Sequence, residues 1–120
     1  MTKILAVDDS ASMRQMVAFT LKSAGFDVVD ADDGDKALKI AQGESFDLVI
    51  TDVNMPNMDG ISLCQELRKL ADFKFTPILM LTTESSIEKK QAGRAAGATG
   101  WIVKPFNPDQ LLATVNRVIG

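Results

Sequence analysis

Five short runs centred on apolar residues, Lys3 to Val7, Phe26 to Ala31, Leu48 to Ile50, Pro77 to Leu81 and Gly100 to Val103, alternate with stretches whose apolar residues recur every three or four positions. A strand buried on both faces reads as a continuous apolar run. Parallel neighbours need a crossover, usually a helix, between them. Strict alternation of the two patterns therefore predicts an α/β fold: a doubly wound, five-stranded parallel sheet with five helices over both faces. At 120 residues and 46% hydrophobic, the chain suits one domain with one sheet, residues 1–120.

The helical stretches carry their own punctuation. Ser12 is placed to cap a first helix through Met13, Met16, Val17, Leu21 and Ala24, with Gly25 as its stop. A second, over residues 35 to 42, turns Ala37, Leu38 and Ala41 to one side and ends at Gly43. The third passes through Leu63, Leu67 and Leu70, and the fourth runs from about Ser86 to Ala96. Asn107 or Pro108 opens the last, which carries Leu111, Leu112, Val115, Val118 and Ile119.

Composition removes several chemistries. The chain has no histidine, which excludes Ser-His and Cys-His catalysis, histidine-ligated zinc and a phosphohistidine carrier. Its one cysteine, Cys64, lies among Leu63 and Leu67 and reads as a buried structural thiol. No apolar run approaches the roughly 18 residues of a membrane span, and no secretory signal opens the chain. The expectation is a cytoplasmic protein without a membrane partner. Net charge is −3 with scattered basic residues, so no direct contact with nucleic acid is expected. The acidic cluster Asp27, Asp30, Asp32, Asp33 and Asp35 reads as a solvated rim.

What remains is collected at the strand ends. Asp8 and Asp9 follow the first strand, Asp52 the third, Thr82 the fourth and Lys104 the fifth. In open parallel sheets the ligand crevice lies outside the carboxyl ends of the strands. Taken singly, these residues could be a helix-start cluster, a loop hydroxyl and a surface charge. Three carboxylates that converge repel one another unless a cation neutralises them. Mg2+ prefers such oxygen donors, and Lys104 is a point charge suited to a phosphate oxygen. Asp52 beside a cation can act as a carboxylate nucleophile toward a phosphoryl group.

Four segments in order, Val7-Asp8-Asp9-Ser10, Asp52 with Asn54-Met55-Pro56-Asn57-Met58-Asp59-Gly60, Leu81-Thr82 and Lys104-Pro105-Phe106, resemble the receiver domains of two-component response regulators, most closely the single-domain chemotaxis regulators. The likeness covers essentially the whole chain. It implies the flavodoxin-like strand order 2-1-3-4-5, which is carried over from that family. It implies that Asp52 accepts a phosphoryl group from a sensor histidine kinase of the CheA type. Asp9, Asp52 and the backbone carbonyl of Asn54 would hold Mg2+, with Asp8 reaching it largely through water. Thr82 and Lys104 would hold the phosphoryl oxygens, and Lys104-Pro105 would be cis. Thr82 and Trp101 would form the switch; Trp101 stands where the family usually has Tyr or Phe. Asn54 and Glu84 would tune the lifetime of the phosphoryl group.

The output surface implied is the fourth helix, fifth strand and fifth helix, with Lys89, Lys90 and Arg117 as its cations. Its partners would be a flagellar motor switch protein or a phosphatase. The chain ends at Gly120, so the expectation is a monomeric signalling module acting through protein contact. It would be no enzyme beyond autophosphorylation from small donors and hydrolysis of its own phospho-aspartate. One alternative is a stand-alone phosphorelay or scaffold receiver without a motor target. Another is an aspartyl-phosphate phosphatase, but those want Asp-x-Asp and this chain has Asp52-Val53-Asn54. A flavin binder fits poorly, because the acid-lined strand ends would repel the flavin phosphate.

Overall fold

The computed structural model describes residues 2–83 and 87–119. Its elements run β1 (Lys3–Val7), α1 (Ala11–Ser23), β2 (Asp27–Ala31), α2 (Gly34–Gly43), β3 (Leu48–Asp52), α3 (Gly60–Arg68), β4 (Ile78–Thr82), α4 (Ile87–Ala95), β5 (Gly100–Val103) and α5 (Pro108–Ile119). Among the described residues these make one five-stranded sheet in the order β2-β1-β3-β4-β5, and every neighbouring pair is parallel. The fold expected from the alternation and the strand order expected from the family likeness are both present.

The period-2 geometry of strands splits the apolar runs between two cores. Ile4, Ala6, Leu48, Ile50, Leu79 and Leu81 face α1 and α5, where Val17, Leu21, Leu111 and Val115 meet them. Leu5, Val7, Val49, Ile78 and Met80 face the other way, onto Ala37 and Ala41 of α2 and Leu63, Cys64 and Leu67 of α3. Each fully buried Leu or Ile contributes about 2 kcal/mol of apolar transfer, so β1, β3 and β4 form a rigid centre. Their C-terminal ends are therefore held firmly in space.

Local chemistry differs from expectation at two helix ends. The N-cap of α1 is Ser10, not Ser12: the Ser10 hydroxyl accepts the Met13 N–H at 3.3 Å, and Ser12 already sits in the first turn. α3 stops at Arg68, short of Leu70. Leu70 instead precedes a 3-10 turn, Ala71–Phe73, that places the buried Phe73 ring 6.5 Å from that of Phe46. The expected start of the fourth helix near Ser86 lies outside the described residues. At α5, Asn107 and Gln110 cap reciprocally: each side-chain oxygen accepts the other's backbone N–H, at 2.8 and 2.9 Å.

Arg68 closes the bottom of the α2/α3 side. Its guanidinium donates to the carbonyl oxygens of Phe73 and Thr76, both at 2.6 Å, and from its other edge to that of Gly97, at 2.6 Å. It forms no ion pair among the described residues. Nearby, the buried Cys64 thiol donates to the Ala96 carbonyl at 3.3 Å, and burial pushes its pKa up, which keeps it protonated and inert.

Candidate functional site

The β1 and β3 ladders are in contact, with Val7 opposite Thr51, so the residues that follow β1 emerge beside the last residue of β3. There the carboxylate oxygens of Asp8, Asp9 and Asp52 come within 4.8 Å of one another. Asp8 and Asp52 are buried and Asp9 is exposed. Lys104 reaches across from the end of β5: its Nζ lies 3.1 Å from Asp8 Oδ2 and 3.4 Å from Asp52 Oδ2. The strand-end residues gathered from the sequence thus converge at one edge of the sheet.

Backbone groups fix the acids. Asp52 Oδ1 accepts the Val53 N–H at 2.8 Å, which leaves Oδ2 turned to Lys104. Asp8 Oδ1 accepts the Ser10 N–H at 2.9 Å in an Asx turn, and the Asp8 carbonyl accepts from Arg14 at 2.8 Å. Sequence reading missed these supports. The Asp-x-Ser spacing could have revealed the first, whereas the reach of Arg14, which also pairs with Asp30 at 3.4 Å, has no local signature.

The loop after Asp52 has a residue-by-residue logic. Asn57 takes a positive φ of 68°, which asparagine tolerates better than most residues, and its amide donates to Asp33 Oδ2 at 3.3 Å. Asp59 caps α3 by accepting the Ser62 N–H at 2.7 Å. Gly60 then packs directly on the chain it follows: its N–H donates to Val53 O at 2.8 Å, and a Cβ there would collide with the Asp52 carbonyl. Asn54 is exposed at the mouth of the loop. In the acidic rim, Asp33 caps α2 and Asp32 pairs with Lys36 at 2.8 Å, while Asp27, Asp30 and Asp35 are exposed.

Thr82 and Trp101 occupy the other side of the crevice. Thr82 is fully buried at the end of β4, and its carbonyl accepts the Lys104 N–H at 2.7 Å, which seats the lysine backbone. The Lys104-Pro105 bond is cis. Met80 and Thr82 are in register with Trp101 and Val103, so Thr82 and Trp101 share one face of the sheet. Glu84 lies outside the described residues.

Burial raises the Asp52 pKa above its ordinary value, Lys104 opposes this, and the nearby Asp8 charge adds to it. The consequence for stability has a definite sign. The unfolded chain releases this proton at a lower pH than the folded one, so stability falls as pH rises through that window and the deficit persists at neutral pH. Asp52→Asn should therefore melt at a higher temperature than wild type at pH 7, with the gain disappearing below the ordinary carboxylate value of 3.8. Thermal melts across pH check this, and an equal or lower melting temperature for the variant at pH 7 would count against it.

A carboxylate cluster of oxygen donors suits a hard divalent cation, and the single ammonium at its edge suits an anionic group bound beside such a cation. Residues 4–116 match the response regulator receiver domain family. The chain is 59% identical to Vibrio cholerae chemotaxis protein CheY4, with a TM-score of 0.96 and 98% of each chain covered. It is 28% identical, at a TM-score of 0.92 and over 99% of this chain and 98% of the other, to the receiver domain of a Pseudomonas aeruginosa sensor histidine kinase, whose structure has a magnesium ion coordinated in the active-site cleft. A probable transcriptional regulator, ycf27 of Porphyridium aerugineum, is 44% identical over 98% of this chain. The chain spans about half the length of such curated relatives, 48% in that case. With the family match running nearly end to end, the chain belongs to the response regulator receiver domains of two-component signalling.

Proposed function

We propose that residues 1–120 form one receiver whose Asp52 takes a phosphoryl group from the phosphohistidine of a CheA-like sensor kinase. The observation that carries this is the setting of Asp52: buried at the end of β3, with Asp8 and Asp9 within 4.8 Å and the Lys104 ammonium at 3.4 Å. A carboxylate oxygen attacks phosphorus, the P–N bond breaks, and its electron pair remains on the imidazole nitrogen. Lys104 donates to a phosphoryl oxygen as Asp52 gains it. Asp9, Asp52 and the Asn54 carbonyl would hold Mg2+, with the Asp8 carboxylate beside them. When bound there, the ion screens the acids from an anionic donor and stabilises charge on the transferring group. Asn54 and Glu84 set the access of water to the acyl phosphate, and its hydrolysis ends the signal. Incubation with acetyl phosphate and Mg2+, followed by intact mass spectrometry, should give one labile phosphoryl group. No label, or one that forms equally well in excess chelator, would overturn the assignment.

The proposal extends to output through α4, β5 and α5 by a monomeric, cytoplasmic module, and the 59% identity to a chemotaxis protein supports a chemotaxis setting for it. A motor switch protein or a phosphatase is the partner in that reading. The 44% identity to a regulator about twice this length supports a second reading, a receiver that serves transcription.

The switch we propose runs through Thr82. Phosphorylation adds roughly one negative charge and three acceptor oxygens, and the Thr82 hydroxyl donates to one of them. Its movement vacates space on the face it shares with Trp101, whose ring then turns inward. A partner that prefers the active state by about 100-fold contributes under 3 kcal/mol to this equilibrium. Trp101 is the single tryptophan, so its fluorescence reports the event. Beryllofluoride with Mg2+ should change that emission in wild type and change it far less in Thr82→Ala, while both proteins bind the mimic. An equal response in the variant would show that the switch takes another route.

A further inference from the structure

Asp8 and Asp52 are each held from two sides, by a backbone N–H and by Lys104. The Asp9 carboxylate makes no hydrogen bond or ion pair among the described residues, so its direction depends on its main chain. A peptide unit is planar, so fixing the two units that flank a residue fixes its φ and ψ, and with them the Cα–Cβ bond. Both units that flank Asp9 are pinned. The Asp9–Ser10 unit is held through its N–H, which donates to Asp8 Oδ1 at 2.9 Å. The Asp8–Asp9 unit is held through its carbonyl oxygen, which accepts from Nη1 of Arg14 at 2.8 Å. The first tie lies within the loop; the second comes from α1. Arg14 stands one turn past the Ser10 cap, where its backbone N–H donates to the Ser10 carbonyl at 2.9 Å. Helical side chains lean back toward the N-terminus, which carries its guanidinium over the loop that bears the acids.

A fixed cation beside a cation site needs a reason, because its charge opposes the ion that the acids attract. Here that charge has a partner: Arg14 Nε lies 3.4 Å from Asp30 Oδ2. Asp30 is on β2, opposite Ala6 in the ladder with β1, so the sheet sets the distance between this anchor and the loop after Val7. One member of the acidic rim thus has a task, to neutralise Arg14 and steady the edge of the guanidinium that the Asp8 carbonyl does not use. Arginine suits the place because its planar fork presents Nε and Nη1 in a fixed relation, one to each partner. We propose that Arg14 is a positioning residue for the divalent cation: through the Asp8 carbonyl it aims the Asp9 carboxylate at the ion, and Asp30 anchors it from β2. This rests on the reading of Asp8, Asp9 and Asp52 as the cation site and adds the residues that hold its exposed member.

The test is a Mg2+ titration of wild type, Arg14→Met and Arg14→Lys, read by NMR at the Asp9, Ser10 and Val53 amides, with urea melts of each protein alongside. If charge were all that mattered, Arg14→Met should bind Mg2+ more tightly than wild type and Arg14→Lys should bind it equally. Positioning gives the opposite sign: Arg14→Met should bind about tenfold more weakly, the usual scale for a group that supports a metal ligand. Arg14→Lys should lose about threefold, since one ammonium cannot serve both partners. Before any metal is added, the order parameter of the Asp9 amide should fall from the rigid value of about 0.85 toward about 0.6 in Arg14→Met. Asp30→Asn, titrated in 1 M KCl to screen the direct effect of its lost charge, should weaken binding in the wild-type background and not in Arg14→Met. A merely structural arginine would lower the urea midpoint and leave the Mg2+ affinity of the folded protein unchanged. Equal or tighter binding by Arg14→Met would therefore sink the inference while leaving the cation site in place. If Arg14→Met does not fold, an Arg14→Lys protein with wild-type affinity has the same force. No saturable Mg2+ binding by wild type would remove the cation site itself, and this role with it.

Discussion

Asp52→Asn protein should take up no phosphoryl group from acetyl phosphate and Mg2+ under conditions expected to label wild type fully. Asparagine has nearly the same shape, so the fold is kept, but its amide has no anionic oxygen to attack phosphorus. The neighbouring acids do not substitute for it. Asp8 is occupied by the Ser10 N–H and by Lys104, and Asp9 is exposed to water. Asp9→Ala keeps the acceptor and should slow labelling when Mg2+ is limiting. Peptide mapping decides the matter: stoichiometric label at another residue of the Asp52→Asn protein would remove Asp52 from its role. Because the same variant is expected to be the more stable one at neutral pH, loss of labelling cannot be ascribed to unfolding.

Gly60→Ala should lower stability by about 3 kcal/mol, on the order of 10 °C in melting temperature, although helix propensity alone argues the opposite. Gly60 opens α3 with an ordinary helical φ, so alanine would normally gain about 1 kcal/mol there. The collision of its Cβ with the Asp52 carbonyl reverses the sign, because the obstacle is main chain and cannot swing away. Gly43→Ala is the control: it ends α2 with open space where the added methyl would sit, and it should be neutral or stabilising. Urea melts of the two variants decide it, and a Gly60→Ala protein as stable as wild type would show that the loop after Asp52 has room to yield.

The parts of this molecule written locally were legible in its sequence. β1, β3 and β4 are buried on both faces and so appear as unbroken apolar runs, and Asp52 and Thr82 stand out as the polar residues that end two of them. Strand order is different. Nothing in the periodicity of Phe26 to Ala31 says that this segment pairs with β1 alone, and the order came from four short motifs shared with a family. The α1 cap was misplaced because Ser10 and Ser12 both have the right hydroxyl, and only the chain direction at Asp8 selects between them. The 3-10 turn was invisible because one buried ring, Phe73, makes no period. Nor could the seating of Trp101 on Gly93 be read, since it joins residues of two elements whose spacing depends on the contact itself.

Arg68 carries a different lesson. Its guanidinium is satisfied by main-chain oxygens of residues 73, 76 and 97, and the side chains at those positions take no part in the contact. Such a clamp tolerates changes of residue type in the segments it joins, provided that position 97 keeps the positive φ of 104° that glycine supplies. It does not tolerate changes of length, since one residue added or removed between Arg68 and Thr76 would carry a carbonyl out of reach. Apart from the buried Phe73 and from Gly97, the two connections at this end of the domain are thus free to diversify in sequence while their lengths stay locked.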